Sequence, residues 1–141
     1  MAVKAAVAML TLMLLTACQS DPPPLVTVND ARVIALPNSA AAYFTLANSG
    51  GDDRLISVEA PGVGQASLHE TSMADGIMRM RDLGQGIEVP AGATVLLSPS
   101  GKHVMIQGLA RPLSQGSSIR LNLKFERQGS VVVNAPVGSP R

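Results

Sequence analysis

From Leu25 onward the chain is cut every few residues by turn chemistry, and that punctuation constrains the fold more than any other feature. The breaks are Pro37-Asn38, Asn48-Ser-Gly-Gly51, Pro61-Gly62, Asp75-Gly76, Gly84-Gln-Gly86, Pro90-Ala-Gly92, Pro99-Ser-Gly101 and Gln128-Gly129. Each supplies a fixed φ, a positive φ or a local side-chain hydrogen bond. The segments between them are short and β-favouring: Leu25–Val28, Arg32–Leu36, Ala41–Ala47, Leu55–Glu59, Gln65–Thr71, Ile77–Asp82, Ile87–Val89, Thr94–Ser98, His103–Gln107, Ile119–Glu126 and Val131–Ala135. In Ile119-Arg-Leu-Asn-Leu-Lys-Phe-Glu126 every odd position is apolar and every even one polar, the signature of a half-buried antiparallel strand. No stretch sustains a helical period. Many short strands at this spacing predict an all-β sandwich or barrel in a single domain.

Composition narrows the function classes. Once Lys4 is set aside with the N-terminal segment, 10 basic side chains balance 10 acidic ones, so nothing favours nucleic acid or an anionic membrane surface. The aromatics are Tyr43, Phe44 and Phe125, too few for a stacking platform. The core must therefore come from Val, Leu, Ile and Ala, and a chain of this length can bury one without staples. Cys18 is the only cysteine. The domain after it has no disulfide and no thiolate to act as nucleophile or ligand. No Walker-type or dinucleotide-type glycine loop occurs, and a Ser/His/carboxylate triad would have to recruit one of two histidines, so an enzyme is not expected.

The N-terminus reads as processing signal rather than fold. Lys4 precedes an apolar run from Ala5 to Leu15, shorter than the roughly 20 residues of a spanning helix. Leu15-Thr16-Ala17-Cys18 then resembles the lipobox of bacterial lipoproteins. That resemblance implies a signal peptide over residues 1–17 and a diacylated Cys18; a generic secretory signal is the plainer alternative. Gln19 after the cysteine points, by the commonest sorting rule, to a periplasmic protein anchored in the outer membrane. Residues 18–24 end in Pro22-Pro-Pro24 and read as a stiff, extended tether that holds the domain a small distance from the lipid. The domain is expected over 25–137, with 138–141 a short tail.

The chemistry concentrates between His69 and Met105. Both histidines lie there, with every methionine outside the N-terminal segment: Met73, Met78, Met80 and Met105. Strand parity places Met78 and Met80 on one face, and His103 and Met105 on one face of another strand. Arg79 and Arg81 take the opposite face to the two methionines, which predicts that the methionines turn inward or toward a partner strand. Packing alone could account for them, since Met commonly fills cores. Neutral imidazole with thioether is also the donor set a soft monovalent ion prefers, Cu(I) above all, whereas thioether is a poor zinc ligand and blue copper needs a cysteine thiolate that the domain lacks.

Across about Val28 to Val137 the chain resembles the PCu(A)C periplasmic copper chaperones. His69, ten intervening residues, Met80, then 22 residues and His103-Val-Met105 match the family motif with a spacer one residue longer than usual. Ala42-Tyr43-Phe-Thr-Leu-Ala-Asn-Ser49, Asp53-Arg-Leu55, His69-Glu-Thr71, Gly76-Ile-Met-Arg-Met80 and Val89-Pro-Ala-Gly92 fit as well. The resemblance implies a cupredoxin-like antiparallel β-sandwich of Greek-key type. It implies one Cu(I) per chain, held by His69, Met80, His103 and Met105. It further implies delivery to the cytochrome c oxidase subunit that carries the dinuclear copper site, directly or through a second assembly factor. Met78 and Met73 are possible additional ligands, Met73 being expected in a loop. Arg32 stands near the place of a commonly found Trp, and the C-terminus lacks the His/Met-rich tail that some relatives use for a second copper. A metal-free envelope interaction module, or a copper storage protein, is the alternative.

Overall fold

The computed structural model describes residues 20–139; the expected signal peptide (1–17) and lipid-bearing Cys18 lie outside them. Ten strands follow in order: β1 (Val26–Ala35), β2 (Ser39–Asn48), β3 (Asp53–Glu59), β4 (Gln65–Ala74), β5 (Ile77–Asp82), β6 (Ile87–Val89), β7 (Thr94–Leu96), β8 (Lys102–Gln107), β9 (Ser118–Phe125) and β10 (Ser130–Gly138). They hydrogen-bond in the order β5-β4-β8-β2-β1-β10-β9-β3-β6, with β7 pairing to β2 off that path. All pairings but one are antiparallel. The exception is a short parallel seam between β1 and β10, Val33 to Val137 and Ile34 to Gly138. Side chains from both sides of that seam enclose one core: Phe44, Leu46, Leu68, Val104 and Ile106 on one side, Leu55, Ile87, Leu121, Leu123 and Phe125 on the other. The sheet thus folds over itself as the expected all-β sandwich.

Alternation decides which face each strand buries. Along β9 the odd residues from Ile119 to Phe125 are buried and the even ones are not, as the sequence predicted. Along β8, Val104 and Ile106 enter the core while His103 and Met105 leave by the outer face. No methionine joins the core. This matters for function, because the packing explanation for methionine fails within the described residues.

Two local expectations need correction. Leu25–Val28 and Arg32–Leu36 are not two strands but one, β1, with a bulge between Asn29 and Arg32. Asp30 takes φ 54° there, a left-handed conformation that aspartate tolerates better than most side chains. Met73 lies within β4, not in a loop, because the β4–β5 hairpin closes in only two residues, Asp75 and Gly76. Both have positive φ (53° and 73°), the requirement of a type I′ turn, whose twist matches that of the flanking strands. The Pro-rich segment, read as a stiff tether, is held against the domain just before β1. Gly51 N–H donates to the Pro23 carbonyl (3.1 Å), Ser49 N–H to the Leu25 carbonyl (3.0 Å), and Arg127 Nη2 to the Pro22 carbonyl (3.3 Å). Gly50 and Gly51 permit this close approach: a Cβ on either would collide with the Pro23 or Pro22 carbonyl.

Candidate metal centre

The site is assembled on the outer face of β5, β4 and β8, at the edge of the sheet. Register brings His69 opposite His103 on one side and Asp82 on the other. Met105 pairs with Ser67, one same-face step from the histidines, and Met80 pairs with Thr71, one same-face step the other way. All four sequence-predicted donors therefore share one face of three adjacent strands. The two imidazoles are in contact range, with ring centroids 6.0 Å apart and planes tilted by 53°. A first-row ion bound at about 2.0–2.1 Å from a nitrogen of each ring would hold their centres roughly 5–6 Å apart.

Each ring is oriented by its neighbours. His103 is buried, and its Nδ1 lies 3.0 Å from the Gly101 carbonyl oxygen. A carbonyl can only accept, so Nδ1 carries the proton and the neutral ring keeps its lone pair on Nε2. The same carbonyl accepts from Thr71 N–H (3.0 Å), which ties the β7–β8 connection to β4. His69 Nε2 sits 2.9 Å from Ser67 Oγ and 3.5 Å from Asp82 Oδ2. Its Nδ1 is buried with no hydrogen-bond partner. We assign the Nε2–H tautomer, directed at Asp82, which leaves the Nδ1 lone pair for a ligand. A buried, unpaired nitrogen costs about 1–3 kcal/mol, and a bound cation would remove that cost. The residues fit a cation.

The surroundings favour a soft one. Among the described residues no three His, Cys, Asp or Glu side chains converge on a metal position, so the face offers imidazole and thioether. Tyr43 packs beside His103, centroids 6.4 Å apart, and the Arg32 guanidinium lies over the tyrosine ring, 5.4 Å from its centroid. Burial pushes the Tyr43 phenol above its ordinary pKa, with the Arg32 guanidinium pulling the opposite way, so the phenol stays neutral. Arg32, which stands where a tryptophan was expected, thus backs the aromatic wall of the site. Behind β4, Glu70 is held in a charge cluster. Arg81 Nε donates to it at 3.0 Å, and Lys102 Nζ lies 3.4 Å away, holding its carboxyl below the usual carboxylate range. That cluster ties β5, β4 and β8 together beneath the donors.

Met80 and Met78 differ in reach. At about 3.3 Å per residue, Met80 is roughly 7 Å along the strand from the His69–Asp82 pair and Met78 roughly 13 Å. Neither turns inward: Met80 is 52% exposed, Met78 68% and Met73 65%. The expectation from the Met/Arg alternation fails because β5 is an edge strand, exposed at every residue, with no second layer above it. Asp82, Ser67 and the Gly101 carbonyl escaped the sequence reading. Asp82 could have been found, since it continues the same-face series Met78, Met80, Asp82. Gly101 could not, because its role is a backbone one set by a loop.

A family model described as "Putative lipoprotein LpqE-like" matches residues 26–137. The chain belongs to that family. A putative lipoprotein of Leifsonia xyli subsp. xyli is 34% identical over 114 residues, covering 79% of this chain and 69% of its own length. Among solved structures, the apo PCuAC domain from PmoF1 superposes with a TM-score of 0.68 at 23% identity, covering 82% of this chain and 94% of that domain. The Cu(I) form of DR1885 from Deinococcus radiodurans gives a TM-score of 0.66 at 30% identity, covering 81% of this chain and 78% of that one. The LpqE-like chain therefore has the cupredoxin-like fold of PCuAC domains, as its resemblance to that family implied.

Proposed function

We propose that this LpqE-like protein is a Cu(I) carrier of the cell envelope, a metallochaperone rather than an enzyme. The observation that carries this is the facing imidazole pair, 6.0 Å apart, in which one ring has its lone pair freed by the Gly101 carbonyl and the other has a buried nitrogen without a partner. His69, His103 and Met105 form the core of the site, and Met80 completes it by folding its exposed side chain across Thr71. Two neutral imidazoles with two thioethers favour Cu(I) over Cu(II), so the ion is held in one oxidation state and handed on. Likeness to copper-bound PCuAC domains supports the same reading.

The recipient in this proposal is the dinuclear copper centre of cytochrome c oxidase, reached directly or through a second assembly factor. A lipid at Cys18 keeps the carrier on the membrane, on the periplasmic side and by the Gln19 rule in the outer membrane; membership of a lipoprotein family supports the anchor. Competition for Cu(I) against a chelator tests the site. The parent should take up one tightly bound equivalent, with nitrogen and sulfur scatterers in X-ray absorption, and His103→Ala should lose it. Equal binding by both would refute the assignment. Delivery is tested separately in a deletion strain, where cytochrome oxidase activity should fall at low copper and recover when copper is added. Copper sensitivity with normal oxidase would point instead to storage.

A further inference from the structure

Two methionines remain that the proposed copper site does not use. Met73 and Met78 are direct cross-strand partners at the end of the β4–β5 hairpin, next to the Asp75-Gly76 turn. They lie on the same face as Met80, and directly opposed residues have Cβ atoms about 4.5–5.5 Å apart. The diagonal from Met73 to Met80 is about 7–8 Å, within reach of long, unbranched side chains. At roughly 13 Å along the strand from His69, Met78 is too far to join the imidazole pair.

These side chains are among the most exposed large apolar groups of the molecule, at 65% and 68%. They contribute nothing to the core, so stability gives no reason for them. An apolar docking patch for another protein would be served equally by Leu, Ile or Val. Instead, three of the four large apolar side chains here (Met73, Met78 and Met80, beside Ile77) carry a thioether, and every methionine among the described residues lies on this one face. What distinguishes methionine from leucine at an exposed position is a soft sulfur donor.

We propose that Met73 and Met78 form a second, sulfur-only site for a soft monovalent cation, with Met80 standing between it and the histidines. The donors are uncharged and few, so the tip holds its ion more weakly than the histidine site. Met80 can bind at either, swinging from the thioether pair toward His69. The hairpin face then works as a track: the ion is received at the exposed tip and passed to the better site behind it. The receiving role rests on the copper-carrier reading; the existence of the tip site does not.

The test uses Ag(I), a redox-inert stand-in for Cu(I), with protein labelled at the methionine methyl carbons and followed by NMR. The parent should bind two equivalents in sequence. The first should shift the Met80 and Met105 methyls, and the second those of Met73 and Met78. Met73→Leu/Met78→Leu, nearly isosteric at exposed positions, should keep its dispersed amide spectrum and the first equivalent and lose the second. In His69→Ala/His103→Ala the tip should still bind, now shifting Met73, Met78 and Met80 together. The tip site is overturned if no equivalent bound by the parent moves the Met73 and Met78 methyls. It is overturned equally if the double leucine variant still binds two. If the tip binds but no ion reaches the histidines in the parent, the copper-carrier reading falls and the tip site stands.

Discussion

At the scale of single residues, the candidate site depends on which nitrogen of each imidazole its neighbours leave free. The Gly101 carbonyl decides this for His103 through the backbone; at His69, Ser67 Oγ lies 2.9 Å from Nε2, with the Asp82 carboxylate at 3.5 Å behind it. Groups behind a metal-binding histidine fix its tautomer and raise its basicity, and losing one costs about 10–100-fold in metal affinity. Asp82→Ala should therefore weaken Cu(I) binding by about 10–100-fold while leaving one equivalent bound, because no donor is removed. Chelator competition measures this directly. An unchanged affinity would mean that Ser67 Oγ, 2.9 Å from the same nitrogen, orients the ring alone. That the histidines and methionines share one face of neighbouring strands was legible in the sequence because parity is a property of the chain itself; the choice of His69, Met80, His103 and Met105 among them came from the resemblance to PCu(A)C proteins. Their supports were not. Ser67 and Asp82 become neighbours of His69 only through strand register, and Gly101 acts through a carbonyl that every residue possesses.

At the scale of elements, the β4–β5 hairpin is the edge half of the site and β8 the flanked half. His103 sits in a strand flanked on both sides, by β2 and β4, whereas Met80 and Asp82 ride on an edge strand held by β4 alone. The hairpin depends on two positive-φ residues at its turn, and Gly76 has open space where a Cβ would be, so backbone conformation is the only objection to a side chain there. Gly76→Val places a β-branched residue in the left-handed region, at a cost of about 1–3 kcal/mol. We expect a lower thermal midpoint and a weaker copper site, with β8 amide exchange unchanged because His103 and Met105 do not depend on the turn. Exchange that rises equally in β8 and β5 would show that the two halves open together. The bounds of β5 and the Asp75-Gly76 turn could be read from the sequence. The exposure of its methionines could not, because Met-Arg alternation looks the same in a half-buried strand and in an uncovered edge strand.

At the scale of the whole molecule, the clamped segment from Pro22 to Leu25 fixes the end of the sandwich from which the N-terminal tether leaves. Pro22 to Leu25 lie against Ser49, Gly51 and Arg127, beside the end of β2 at Asn48. Counting through the register, β2 lies antiparallel to β8 and β8 antiparallel to β4, so β4 and β2 run the same way and Ala74 is level with Asn48. The methionine tip of the hairpin and the tether therefore leave the sheet at the same end. A chain free to swing about Pro22–Pro24 would have no such preferred orientation; the absence of side chains at Gly50 and Gly51 supplies it. Gly51→Ala drives a Cβ into the Pro22 carbonyl and should release the segment. Amide exchange at Leu25, Ser49 and Gly51 should then accelerate while Leu46, Leu121 and Phe125 keep the protection of the parent, since the core does not involve the clamp. Protection at Ser49 and Gly51 that survives the substitution would mean the proline segment is held by Arg127 and the β2 end without the glycine contact, and the orientation would then have a different origin.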